Sequence, residues 1–373
     1  MYREIRPPCL AECTEYKEQF INFHGQLLVH KMGNDTFELG PIRPPAEADS
    51  LLIRTTRGCP WNKCSFCKLF SGIRFSIRTL DEIKKDIESA RLYYSGTRFE
   101  TCFLQDGDSF AMRTKDLIEV LISLKKAFPF LKRISSYGRA QTMMRKSAAE
   151  MQEISDAGLN MLYSGIESGS DRVLEIVNKG VSQDAIIQSS LRAKQAGMSI
   201  MVFVILGLGG KELSTEHVAE TAHVINTINP KSVRVMSLAV KPDTGLWEKI
   251  EDGSFTMLSE TEMIEEQRQL ITQLKGIHCH YGNFHGINLL TELKGILPED
   301  KEKLLAIMDE FLSLSPDLKL NFIFGRRFGY YGRLTGFQKS PVFNSVQQQV
   351  AKYLNKNQES IEEVFHDARS RVI

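Results

Sequence analysis

From about residue 51 onward, short runs of apolar, β-branched and aromatic residues alternate with stretches of helical periodicity. "SLLIRT" opens the series. The helix after it begins at Thr79, with Glu82 three residues on in capping-box spacing, and runs through "TLDEIKKDIESARLYY". "FETCFLQDG" predicts a second strand and "TKDLIEVLISLKKAF" its helix. "LKRISSYG" predicts a third, whose helix "SAAEMQEISDAG" is capped by Ser147 with Glu150 and stopped at Gly158. "LNMLYSGI" is the fourth, followed by "SDRVLEIVNKG" and "SQDAIIQSSLRAKQAG". The fifth, "MSIMVFVILG", is a continuous apolar run suited to a parallel strand covered on both faces. Its helix is "STEHVAETAHVINTI", and "SVRVMSLAV" is the sixth strand.

Six strand–helix units in about 190 residues imply a parallel sheet, because successive parallel strands need helical crossovers. The expected class is α/β, with a partial (β/α)6 TIM-like barrel over residues 50–245. Residues 1–49, with the Pro-rich stretches "RPP" and "GPIRPP", read as an N-terminal extension laid on that barrel. After Trp247 no further strand–helix alternation is legible, and residues 246–373 read as a mostly helical C-terminal region. Chemistry in such folds gathers at the C-terminal ends of the strands.

Composition is that of a soluble globular protein: 42% of the 373 residues are apolar and 25% charged. A net charge of +1 gives no global field toward nucleic acid or anionic membrane. No apolar signal core opens the chain, and the longest apolar run, residues 198–210, is too short to span a bilayer. A cytoplasmic protein without a membrane partner is expected. The seven cysteines are odd in number and scattered, which argues against a disulfide framework.

Three of them stand within nine residues, in "RTTRGCPWNKCSFCKLF". Cys59, Cys64 and Cys67 directly follow the first strand, at the end where chemistry is expected. A closed zinc site takes four ligands, usually as two pairs, so zinc would require folding to bring in Cys9, Cys13 or Cys279. Inert buried thiols would not crowd onto one Gly-Pro-Trp-Asn loop. The other option is a 4Fe-4S cluster with one iron left unligated by protein.

The loop resembles the cluster motif of the radical S-adenosylmethionine superfamily, in which three cysteines hold the cluster and S-adenosylmethionine chelates the fourth iron. Phe66 matches the aromatic residue before the last cysteine, while the first gap is one residue longer than the common spacing. After the second strand, Asp106-Gly107-Asp108 stands where the superfamily has Gly-Gly-Glu, so Asp108 is expected to receive the amino group of S-adenosylmethionine. After the fourth, "GIESGSDRVLEIVNKG" is similar to the ribose-binding segment of the elongator-like and methylthiotransferase enzymes, with Glu167 accepting the ribose hydroxyls and Ser168 beside it. After the fifth, Ile205 and Gly207 fit the adenine-packing segment, although Phe203 and Gly210 replace its Gly and Glu. The likeness covers residues 51–240, and "GPIRPP", "CPWNKCSFC", "YGRA" and "LPEDKEKLL" extend it loosely to short bacterial members. It implies an oxygen-sensitive enzyme that cleaves S-adenosylmethionine reductively to a 5′-deoxyadenosyl radical. That radical takes hydrogen from an unknown substrate, and flavodoxin or ferredoxin supplies the electron.

Other features carry less. The glycines at 207, 209 and 210 fail the strict dinucleotide spacing. Arg139, ending the third strand, suits a substrate carboxylate, the S-adenosylmethionine carboxylate or a rim ion pair; Lys179 and Arg192 suit structural pairs. In "HCHYGNFH", His278 and His280 share a face while Cys279 turns away, and a pocket or surface role is expected over metal. Cys9 and Cys13, one turn apart on a helix, could form a redox pair, and solvent-exposed or core thiols are expected over that. Residues 319–339 hold five cations and no acid among aromatics, which would suit RNA. They sit in a C-terminal stretch, 251–373, with 14 Lys and Arg against 17 Asp and Glu, so RNA is not favoured. With 49 residues before the barrel, a cobalamin-dependent methylase of the usual architecture is not expected, and with one C-terminal cysteine no second cluster for methylthiotransfer is expected there.

Overall fold

The computed structural model describes residues 28–29, 37–283, 285–356 and 360–372. Cys9 and Cys13 lie outside the described residues. Seven parallel strands stand side by side in chain order: β1 (Leu51–Arg54), β2 (Thr101–Gln105), β3 (Arg133–Tyr137), β4 (Leu159–Glu167), β5 (Ser199–Leu206), β6 (Ser232–Ser237) and β7 (Cys279–Gly282). An eighth, β8 (Lys294–Leu297), closes the edge antiparallel to β7.

The crossovers are helical: α1 (Leu80–Tyr93), α2 (Thr114–Ala127), α3 (Ala140–Met144) with α4 (Ala148–Ala157), α5 (Asp171–Ile176) with α6 (Gln183–Gln195), and α7 (Gly210–Ile228). The α1 and α4 capping boxes form as their sequences predict, each Thr79 or Ser147 side chain accepting the backbone N–H three residues on. After β6 come α8 (Gly245–Glu251) and α9 (Glu260–Gln273), and after β8 α10 (Lys301–Ser313), α11 (Pro316–Arg327), α12 (Phe343–Lys356) and α13 (Ile361–Ser370).

The first six units match the expected partial barrel. The sheet nevertheless runs past residue 245, because α9 is a further crossover leading into β7. Four residues, "CHYG", with one exposed histidine, are too short to display a strand period.

Alternate residues of each strand face the helices and the concave side. On β5 and β6 the helix-facing Val202, Val204, Val233 and Val235 are essentially inaccessible. Each such side chain contributes roughly 1.5–3 kcal/mol by leaving water. The concave side carries Phe103, Met161, Tyr163 and Met201, packed with Leu52, Tyr137 and Phe203. Phe103 meets Tyr137 edge-on, centroids 5.1 Å apart. Beneath this layer Glu47 is fully buried, taking hydrogen bonds from Ser50, Ser135 and Tyr163 and an ion pair from Arg133 at 2.9 Å.

Candidate functional site

β1 ends at Arg54. Directly after it, Thr56–Arg57 pairs antiparallel with Ser76–Ile77, so the cysteine-bearing segment leaves and re-enters through one narrow neck. Its tip is fastened to the turn after α5. Trp61 Nε1 donates to the Asn178 carbonyl at 2.7 Å, Asn178 Nδ2 to the Lys63 carbonyl at 3.0 Å, and the Ser65 amide to the Val177 carbonyl at 2.9 Å. Gly180 has a left-handed φ of 68°, and a Cβ there would stand 2.3 Å from the Trp61 ring. Only glycine lets that turn lie under the indole. Cys59 and Cys64 are half-buried, Cys67 is exposed, and a cavity of about 530 Å³ opens beside Cys64 and Cys67.

Two cations attend the thiols. Arg139 donates from Nη1 to Cys59 Sγ at 3.3 Å and from Nη2 to the Lys179 carbonyl at 3.2 Å. Burial pushes the Cys64 thiol up, against the pull of the Lys179 and Arg139 charges. Arg139, expected at a carboxylate or a rim pair, is thus directed at sulfur. Lys179 makes the expected structural pair, with Glu167 Oε1 at 2.8 Å.

The acids after β2 differ from expectation. Asp106 and Asp108 are both fully buried. Asp106 Oδ2 pairs with Arg54 at 2.8 Å and accepts the Gly58 amide, which makes it a brace for the cysteine loop. Gly107 is required by that same brace: a Cβ would meet the Gly58 carbonyl at 2.5 Å and Cys59 Cα at 3.1 Å. Asp108 Oδ2 accepts from Thr142 at 2.6 Å, while Oδ1 of each aspartate is buried without a hydrogen-bond partner. Burial raises Asp106 to about 6 and Asp108 to about 7, with Arg54 opposing the first and the Thr142 hydroxyl the second.

Glu167 holds a left-handed φ of 61°, and Gly165 leaves room for its folded-back carboxylate. Ser168 is buried, its Oγ 2.8 Å from His217 Nδ1, which ties it to the framework of α7. Phe66 packs with Ile205, Leu208 and Leu238, an apolar shelf shared by the cysteine loop and the ends of β5 and β6. Gly207, φ 78°, donates its amide to Glu266 Oε1 of α9 at 2.5 Å. That distant carboxylate takes the strand-end amide in a chain with no acid at position 210. Glu266, Asn178 and Gly180 were missed from sequence; only the Asn-Lys-Gly turn left a local signal.

The remaining candidates fall outside the site. His278 and His280 are exposed on one side and Cys279 is buried, as alternation predicts; His278 pairs with Glu299 at 3.3 Å. Among the described residues no three His, Cys, Asp or Glu side chains converge as a single-ion site requires. A four-iron cluster places each thiolate on a separate iron, so it needs no such convergence. In 319–339, Arg326 donates to the Leu289 and Asn288 carbonyls and Arg327 pairs with Glu260, while Phe322, Phe324, Tyr331 and Phe337 are buried. Two of the five cations and four of the aromatics in this segment are thus engaged in core packing and internal bonding. Among the described residues no helix is long and apolar enough to cross a membrane.

A family model described as the radical SAM superfamily matches residues 53–225. Those residues are a radical S-adenosylmethionine domain. Such a domain is an enzyme's, with a 4Fe-4S cluster and S-adenosylmethionine as cofactors. The chain is 27% identical over 199 residues to an uncharacterized methyltransferase of Pyrococcus horikoshii, covering 53% of this chain and 41% of that one. It is 28% identical over 158 residues to the bacteriochlorophyllide d C-8(2)-methyltransferase of Chlorobaculum tepidum, covering 40% and 34%. The match thus spans less than half of either relative. The crystal structure of methylornithine synthase aligns with a TM-score of 0.43 and 22% identity, over 61% of this chain and 63% of that one.

Proposed function

We propose that Cys59, Cys64 and Cys67 hold the cluster at the barrel mouth and that the chain uses it to abstract hydrogen from a substrate inside the barrel. A cluster held by these three cysteines would supply one electron for reductive cleavage of S-adenosylmethionine to methionine and a 5′-deoxyadenosyl radical, the species that would take a hydrogen atom from substrate. A one-electron donor such as flavodoxin or ferredoxin is the partner this needs. The observation that carries the reading is the single loop bearing three thiols, braced by Asp106 and Gly107 beneath and faced by the Arg139 guanidinium.

The residues fit both groups. An all-thiol donor set suits iron–sulfur ligation, and the positive charge of Arg139 offsets the negative charge of a thiolate-bound cluster. Asp108 Oδ1 is a buried acceptor without a donor, which suits an ammonium group. Glu167 is held by Lys179 through one oxygen, in position to accept hydroxyls with the other. Phe66, Ile205 and Leu238 give a flat apolar base its platform and exclude water there. Residues 50–245 supply all of these; the strands beyond complete the barrel wall. Methyl transfer is not carried over from relatives that match so little of their own length.

The test is iron analysis of anaerobically reconstituted protein beside Cys64→Ala. About four irons per chain in the parent and loss of the cluster in the variant are expected. Stoichiometric zinc with no iron uptake would overturn the proposal.

A further inference from the structure

The two strand ends proposed to hold the nucleoside of S-adenosylmethionine are not fixed by each other. Glu167 is the last β4 residue paired with β5, opposite Val204, and the register slips between Gly165 and Glu167. Gly207 lies past the end of β5. Two helices hold these ends instead.

The turn after Glu167 hangs from α7. Ser168 Oγ lies 2.8 Å from His217 Nδ1, the Gly169 amide donates to Thr221 Oγ1 at 2.9 Å, and Ser170 Oγ donates to Glu216 Oε1 at 2.6 Å. A Cβ on Gly169 would meet the Glu220 carbonyl at 2.2 Å, so this turn lies directly on the helix backbone. The Gly207 amide hangs from α9, donating to Glu266 Oε1 at 2.5 Å. That helix lies outside residues 53–225, the stretch matched to the radical SAM superfamily.

The two attachments meet at one carboxylate. Glu266 Oε2 accepts the Ser214 hydroxyl of α7, and Oε1 stands 3.9 Å from His217 Nε2. Ser168, His217 and Glu266 are all closed to water. Any neutral acceptor would satisfy a lone amide, and burying a carboxylate for that purpose alone is costly. A carboxylate suits a place where two oxygens fix two elements at once, here the β5 end and α7. Burial holds His217 below its ordinary value, so its ring adds no charge.

We propose that His217 and Glu266 are positioning residues for the nucleoside. They set the spacing between Glu167, on the ribose side, and the Ile205–Gly207 segment, on the base side, and α9 thereby becomes part of the cofactor site. Both act through other residues, the turn after Glu167 and the Gly207 amide. The inference rests on the proposed cofactor site and deepens it.

The test is a pair of binding titrations on the anaerobically reconstituted protein, with S-adenosylmethionine and with methionine, which lacks the nucleoside. The ratio of the two affinities isolates the nucleoside's part. Glu266→Ala is expected to lower that ratio about tenfold or more, with methionine binding kept, because the charge-assisted bond to the Gly207 amide is lost. Glu266→Gln keeps an acceptor for the amide and a partner for Ser214, and should restore most of the ratio. Ser168→Ala removes only the hydroxyl at the far end and should lower the ratio about threefold. A loss that falls equally on both ligands, or an unchanged ratio in folded Glu266→Ala, would overturn the proposal. Should that variant fail to fold, an unchanged ratio in Ser168→Ala overturns it. A parent that shows no preference for S-adenosylmethionine overturns the cofactor site and this proposal with it. The other outcomes, in a parent that does show the preference, overturn this proposal alone.

Discussion

Arg139 Nη1 lies 3.3 Å from the Sγ of Cys59, and its other terminal nitrogen is tied to the Lys179 carbonyl 40 residues on. The end of β3 is thereby bonded both to the cysteine loop and to the turn that clamps it. Arg139→Gln removes the charge and at least one of these bonds. We expect a variant that folds, since Arg139 is only half-buried, with stability lowered by about 1–2 kcal/mol. Its reconstituted cluster should have a more negative reduction potential, because a nearby cation favours the more negatively charged, reduced state. Redox titration of parent and variant checks the sign.

Gly107→Ala keeps every cysteine yet should lose the cluster. The new Cβ meets backbone, the Gly58 carbonyl at 2.5 Å, so the loop has to move. We expect a destabilisation of about 2–4 kcal/mol and iron retention well below that of the parent. Gly332→Ala, with nothing within 4 Å of its Cβ, is the control and should change neither.

The Asp108 carboxyl, raised to about 7 by burial, sets a pH dependence. Native protein holds this proton where unfolded chain has lost it, so the contribution is full below the ordinary Asp value near 3.8 and is lost as pH rises through about 7. Asp108→Asn keeps a side-chain oxygen for Thr142 but cannot ionise. Over pH 5–7.5 the parent should therefore lose stability relative to the variant as pH rises, by at most about 1.4 kcal/mol per unit. Urea denaturation at three pH values measures the difference, and a flat difference would remove Asp108 as the cause.

Glu260 is fully buried between Arg327 of α11 and Arg369 of α13, 2.6 and 2.9 Å away. Glu260→Ala leaves two buried guanidiniums without their carboxylate, a loss of about 3–5 kcal/mol. α13 should release first. Amide hydrogen exchange in residues 361–370 should rise by more than in β4 or β5.

Local features were legible and distant ones were not. The Thr79 and Ser147 boxes depend on atoms three residues apart, so spacing alone revealed them. The cysteine loop was legible for the same reason. Glu266, bonded to Gly207 across 59 residues, left no pattern, and neither did Glu47 beneath the barrel. Asp106 and Ser168 had the right residue types at the right strand ends, but Arg54 and His217 draw them into the framework. In residues 319–339 composition does not name the partners: Arg326 and Arg327 bond carbonyls and Glu260 that lie tens of residues away in sequence.

The central claim is an iron of the cluster left open to S-adenosylmethionine, and EPR of the reduced, anaerobically prepared protein tests it most directly. Adding S-adenosylmethionine should change the spectrum of the reduced cluster, with the effect weakened in Asp108→Asn. An iron–sulfur signal that S-adenosylmethionine leaves unchanged, or no cluster signal at all, would contradict the account.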